Sequence, residues 1–182
     1  MQAYAAGVDL TLVTTDDPKI LSFRAQQKDF FEIEPRAMDL SQDDSPIETV
    51  ISDVLARHTG YDAFVLLNPT HPLRHVDDIK ACISALEDFP SCTGVRKDYS
   101  YTVDEGARHS NLNEQGRVPR LVVTGAIYAV RVPAFLERRK LMITGNVNRG
   151  RVHIERGPYI DIDTEEDLVA ARALWDHARR AI

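Results

Sequence analysis

The run Asp62-Ala63-Phe64-Val65-Leu66-Leu67 is continuously apolar after its first residue, without the alternation of a half-solvated strand. A strand of that kind is covered on both faces, as in the middle of an α/β sheet. Its neighbours in sequence fit that frame. Leu10–Thr15 is a β-branched run that ends in Asp16-Asp17-Pro18, a strand feeding a helix start. A modest helix is expected over Ile20–Gln26 and a short strand over Phe30–Ile33. Ser45, with Pro46 next and Glu48 three residues on, reads as the cap of a helix whose stripe is Ile47, Val50, Ile51 and Val54. Val76, Ile79, Ile83 and Leu86 mark the helix after the apolar strand, and Cys92–Val95 the next strand.

From Arg96 to Arg120 the chain is polar and poorly periodic, an excursion whose length suits a functional or interfacial element. Leu121–Val130 is the longest strand candidate, followed by a short helix over Pro133–Lys140 and a turn-rich loop over Thr144–Gly150. Tyr159–Ile162 reads as the last strand. Leu168, Ala171, Leu174, Trp175 and Ala178 form the stripe of a closing helix, with Thr164 and Asp167 as its capping box. Strands alternating with helices predict an α/β fold with a mostly parallel sheet and flanking helices, in one domain over residues 1–182.

At 182 residues the chain holds one core. Its net charge of −6 argues against a general polyanion binder and so against a nucleic-acid partner, though not against one nucleotide held by local contacts. Cys82 and Cys92 are the only cysteines, which excludes a disulfide framework and points to a reducing, cytoplasmic compartment; both read as small core residues. No apolar run approaches membrane-span length, and no signal-peptide pattern opens the sequence.

Ligands in open α/β sheets bind beyond the carboxyl ends of the strands. Three polar clusters fall at such ends: Thr14–Asp17, Asn68–Arg74 and the pair Asp161/Asp163. Two prolines stiffen the second cluster and can hold Asn68, Thr70 and Arg74 in fixed directions. A guanidinium suits a carboxylate or phosphate, but on its own Arg74 reads first as a solvated charge near a helix start. His71 reads as a loop hydrogen-bonder rather than a base, because no triad partner lies nearby in sequence. Residues two apart on a strand share a face, so Asp161 and Asp163 can hold a hard cation such as Mg²⁺ together with phosphate oxygens. The simpler reading is an acidic helix start.

Val65-Leu66-Leu67-Asn68-Pro69-Thr70-His71-Pro72-Leu73-Arg74, with Asp77-Asp78-Ile79 after it, resembles the acylneuraminate cytidylyltransferases, whose motif is Leu-Leu-Gln-Pro-Thr-Ser-Pro-Leu-Arg. Four further pieces match in order: Val13–Asp17, Ser45–Glu48, Thr124-Gly125-Ala126-Ile127-Tyr128, and Ile160–Leu168. The resemblance implies a nucleotide-diphospho-sugar transferase-like, Rossmann-like fold. It also implies transfer of CMP from CTP to a 2-keto sugar acid, sialic acid or a relative, with release of pyrophosphate. Carried over by position, Asp161 and Asp163 hold Mg²⁺ and are the catalytic pair. Asn68, Thr70, Arg74, Gln115, Gly125 and Tyr128 contact the sugar, Arg36 and Ser45 face the nucleotide, and residues 96–120 support a weak homodimer or the substrate pocket.

The sequence departs from the family in places. Its Gly-, Arg- and Lys-rich phosphate loop has no counterpart here, and Met1–Gly7 corresponds to the end of the helix after that loop. On this alignment the fold is N-terminally incomplete, and Leu10–Thr15 and Asp62–Leu67 flank a strand that residues 1–182 do not supply. Val122, Asn113 and Glu114 stand where the family carries arginines. Three readings therefore stay open: a sialic acid enzyme, inactive as given or not; a nucleotidyltransferase for a legionaminic, pseudaminic or octulosonic acid; and a non-catalytic sugar- or nucleotide-binding relative.

Overall fold

The computed structural model describes residues 2–23, 30–100, 119–143 and 149–180. The chain runs α1 (Gln2–Ala5), β1 (Leu12–Thr15), α2 (Pro18–Ser22), β2 (Glu32–Pro35), α3 (Ile47–Arg57), β3 (Ala63–Leu66) and α4 (Val76–Ser84). It continues with β4 (Ser91–Asp98), β5 (Arg120–Arg131), α5 (Val132–Arg138), β6 (Arg151–Ile154) and α6 (Glu165–Arg180). β1 and β2 pair in parallel as a two-stranded sheet, and the other four strands form a second sheet in the order β3-β5-β4-β6. β3 and β4 both run antiparallel to β5, and β6 runs parallel to β4. Three strands of the larger sheet thus point one way, and β5 alone is reversed.

Both faces of that sheet are covered, because side chains alternate along each strand. On one face Ile79 and Cys82 of α4, with Leu86 after it, pack on Cys92, Ile127 and Ala129 and against Val65. On the other, Ile51 of α3 and Phe135 of α5 pack with Leu141, Ile143 and Val130, against Phe64 and Tyr128. Phe64 and Phe135 meet edge to face at 5.2 Å, a geometry that the ring quadrupoles favour. Cys82 and Cys92 are buried, as their positions in a helical stripe and at a strand start predict.

Several expectations need correction. β3 is only half-buried at all four positions. An edge strand lies open along one side, and among the described residues β3 pairs only with β5 while β1 pairs only with β2. The break between the two sheets falls where the resemblance places a shared strand. The helix after Ser45 begins at Ile47 with Pro46 in the cap position; Ser45 Oγ donates instead to Asp39 O at 3.1 Å. Pro46 is extended at φ −61°, ψ 132°, so the helix starts one residue on.

Tyr159–Ile162 is not a strand; the last strand is Arg151–Ile154, on the edge beside β4. The polar excursion is also shorter than expected. Arg96–Asp98 extend β4 and Arg120 opens β5, while the segment between them lies largely outside the described residues. Where Thr164 and Asp167 predict a capping box, the box is present. Asp167 N donates to Thr164 Oγ1 at 3.2 Å and Thr164 N to Asp167 Oδ2 at 2.9 Å. No described helix is long and apolar enough to cross a membrane.

Candidate functional site

Beyond Leu66 the chain leaves β3 through a proline-stiffened loop that turns back on itself. Asn68 Nδ2 donates to Gly125 O at 2.9 Å, tying the loop to β5. Arg74 Nη1 donates to Asn68 O at 2.5 Å and to Ala126 O at 3.2 Å. The reading of Arg74 as a solvated charge is therefore wrong: its guanidinium braces the loop against the strand. Burial lowers its pKa to about 10, with Glu155 opposing that shift, and its buried Nε has no hydrogen-bond partner among the described residues. Gln2 of α1 holds the loop from outside, donating to Pro72 O at 3.0 Å and Arg74 O at 2.6 Å.

Gly125 sits at φ +80°, a backbone conformation that glycine alone adopts freely. Beside it, Thr124 Oγ1 donates to Glu155 Oε1 at 2.6 Å, and Tyr159 Oη donates to Thr124 O at 2.5 Å. Burial pushes the Glu155 carboxyl upward, partly offset by the Thr124 bond. The phenol of Tyr159 is likewise raised by burial, and Arg96 stacks over its ring at 5.2 Å.

A third segment, from Glu155 to Asp163, closes on the loop. Ile162 N donates to Thr70 O at 2.9 Å. His71 Nδ1 lies 3.1 Å from Ile160 O and 3.5 Å from Asp161 Oδ1. His71 is thus a loop hydrogen-bonder, as expected, but one that reaches the acidic motif. The start of α4 is joined to the same segment: Asp78, 1% exposed, accepts from His153 Nε2 at 2.9 Å and from Arg156 N at 3.0 Å. His71, Arg74, Asp78, Arg96, Glu155 and Tyr159 help line a cavity of about 50 Å³. That is room for one or two waters and too little for a sugar acid, so it backs the site rather than forming its mouth.

The structure thus brings together Asn68, Thr70, Arg74, Gly125 and Asp161, through direct bonds or through His71. Asp161 and Asp163 do not share a strand face as expected, since neither is in a strand. Asp161 turns toward His71, and Asp163 is exposed just before α6. Among the described residues no cluster of three acidic, His or Cys side chains could hold a metal. Asp161 and Asp163 are the two carboxylates that the resemblance assigns to Mg²⁺, an ion that takes the rest of its shell from phosphates and water. Tyr128 lies in the apolar cluster under α3 and α5, its phenol raised by burial. Arg36 donates to Thr14 O at 2.7 Å within the small sheet, and no bond links it or Ser45 to the loop. Gln115 lies outside the described residues. Sequence reasoning missed Glu155 and His153, which neither motif nor periodicity marks because their partners are distant in the chain; Thr124 stood in a matched motif, but its bond to Glu155 was not foreseen.

No family model matches the sequence, and no curated protein does. Solved structures match the fold. CMP:2-keto-3-deoxy-manno-octonic acid synthetase complexed with CTP aligns at a TM-score of 0.65 and 15% identity, over 97% of this chain and 87% of that one. A 4-diphosphocytidyl-2C-methyl-D-erythritol synthase from Anaerococcus prevotii aligns at 0.63 and 12% identity, over 93% of this chain and 79% of that one. The fold is nucleotide-diphospho-sugar transferase-like. Within such a fold, the loop after β3, the Thr124-Gly125 turn of β5 and the segment before α6 converge at one place.

Proposed function

We propose that this chain is a cytidylyltransferase-type protein that transfers CMP from CTP to a 2-keto sugar acid of the sialic or octulosonic class. The observation that carries the reading is the convergence of Asn68, Arg74, Gly125 and Asp161 at the carboxyl end of β3. Ordered motifs that resemble the acylneuraminate cytidylyltransferases lie on those same three segments. Two solved structures that match this fold are named for cytidylyl products, and one of them holds CTP.

In the reaction, the anomeric hydroxyl oxygen forms a bond to the α-phosphorus, the bond from that phosphorus to the bridging oxygen breaks, and pyrophosphate leaves with its electron pair. The hydroxyl proton passes to solvent. Asn68 orients the sugar with its amide oxygen and its second amide N–H, the first being bonded to Gly125 O. Asp161 and Asp163 would hold Mg²⁺, which supplies charge neutralisation at the phosphates when bound. Arg74 acts indirectly, by fixing the carbonyls of Asn68 and Ala126.

Pyrophosphate release, measured with CTP, Mg²⁺ and a panel of 2-keto sugar acids, tests the reading. Turnover with one of the acids supports it. The commitment of Arg74 to two carbonyls favours a binding-only relative as the second reading, and sugar-acid or CTP binding by calorimetry without turnover would select that. Neither binding nor turnover with any pair would remove both.

A further inference from the structure

His71 is 3% exposed although it lies in a loop. Three chain segments close over its ring. Tyr159 packs against it at 5.4 Å with the planes tilted by 36°. On another side Gly125 leaves room: a Cβ there would stand 3.1 Å from His71 Nε2. Nδ1 points at the acidic motif, 3.1 Å from Ile160 O and 3.5 Å from Asp161 Oδ1. A carbonyl oxygen only accepts, so Nδ1 carries the proton and the neighbour fixes the tautomer. Thr70, the residue before His71, accepts a hydrogen bond from Ile162 N at 2.9 Å. Asp161 is thereby bracketed, its preceding carbonyl held by His71 and its following amide by Thr70.

We propose that His71 is a positioning residue: its Nδ1–H fixes the Ile160 carbonyl with Asp161 Oδ1 3.5 Å away, and so sets how Asp161 presents itself to a divalent cation. The proposal rests on the reading of Asp161 as a cation ligand. Asp161 keeps a 39% exposed side chain for that ligand, while the His71 side chain beside it is 4% exposed. A carboxylate held this way loses less freedom on binding a metal. Outer partners of metal ligands typically change metal affinity 10–100-fold. The same arrangement gives Gly125 a structural task, because a side chain there would press on the imidazole.

The choice of amide separates positioning from packing. In His71→Asn the amide nitrogen takes the place of Nδ1; in His71→Gln it reaches the place of Nε2; His71→Ser lacks the Nδ1 donor without filling the ring's space. Mn²⁺ binding in the presence of CTP is followed by water-proton relaxation, with folding checked by circular dichroism. His71→Asn is expected to hold Mn²⁺ nearly as well as the parent, while His71→Gln and His71→Ser bind about 10–100-fold more weakly. Equal affinity in all the variants, or equal loss in all of them, overturns the positioning role while leaving the cation site standing. A parent chain that binds no Mn²⁺ with CTP, matched by Asp161→Asn, removes the cation reading and this proposal with it.

Discussion

The carboxylate of Glu155 rests directly on the backbone of Gly94, where the Cβ of any other residue would collide with Glu155 Oε1. The contact lies at the register shift between Thr93 and Val95, where β5 carries extra residues opposite β4. It seats the acid so that Thr124 Oγ1 reaches it at 2.6 Å. Gly94→Ala is expected to push Glu155 off that hydroxyl and cost about 1–3 kcal/mol, the loss of a hydrogen bond to an ionisable group. In a Glu155→Ala background the same change should be neutral or slightly stabilising, since alanine suits a strand better than glycine. Urea unfolding of the four proteins gives the coupling energy. Additive effects would mean that Gly94 and Glu155 do not depend on each other.

Glu155 also predicts a pH dependence. Burial raises its folded pKa above the ordinary 4.5, so the folded chain binds the proton more tightly than the unfolded chain does. Its contribution is fully present below the unfolded value and is lost as pH rises through the folded one. Comparing the parent with Glu155→Gln isolates this group from the other carboxylates. The stability of the parent relative to the variant should fall as pH rises from about 4.5 and then level off. A difference that stays constant across the carboxylate range would show that the acid is not held toward its protonated form.

The closing helix offers a local test. Asp167 carries the reciprocal bonds of the capping box, accepting from Thr164 N and from Thr164 Oγ1 at 2.8 Å, and these bonds hold its carboxyl below the usual range. Among the α6 residues whose burial is described, only Ala171 is buried, so tertiary packing does little to support the helix. Thr164→Ala should destabilise by about 1 kcal/mol. The loss should appear as faster amide exchange within α6, with the exchange of β4 and β5 little changed. Uniform acceleration across the protein would show that α6 unfolds only with the whole.

Much of this was legible in the sequence where the cause is local. Thr164 and Asp167 specify their box at fixed spacing, and Val50, Ile51 and Ile79 mark buried helix faces by periodicity. The strand of Phe64 and Val65 was legible as an element but not in its burial, because apolar character cannot say whether a neighbouring strand is present. Arg151–Ile154 escaped notice because a four-residue edge strand leaves no pattern to read. In the site, Asn68, Arg74, Gly125 and Asp161 stood out as motif residues. What Arg74 does was not legible: the carbonyls that absorb its guanidinium, Asn68 O and Ala126 O, are set by the loop and β5 together. Glu155 and Thr124 are separated by 31 positions and meet only through the pairing of β4 with β5 and β6.

Asp161 and Asp163 belong to an acidic run in which Asp167 supplies an internal control. Asp167 is committed to Thr164, whereas Asp161 has only His71 Nδ1 beside it at 3.5 Å and Asp163 accepts no side-chain hydrogen bond among the described residues, so both offer oxygens to a ligand. With only two carboxylates, Mg²⁺ binding should be weak alone and strengthen with CTP, because the ion dehydrates reluctantly and relies on phosphate oxygens. Calorimetric titration of Mg²⁺ with and without CTP reads this directly. Asp161→Asn with Asp163→Asn should abolish the nucleotide-dependent binding, and where turnover is measurable each single change should cost about a hundredfold or more, the usual loss on removing one preorganised charge partner. Asp167→Asn should lower helix stability and leave Mg²⁺ binding intact. Tight binding without nucleotide, or equal loss from all three substitutions, would mean that the run is an acidic helix start with no cation site in it.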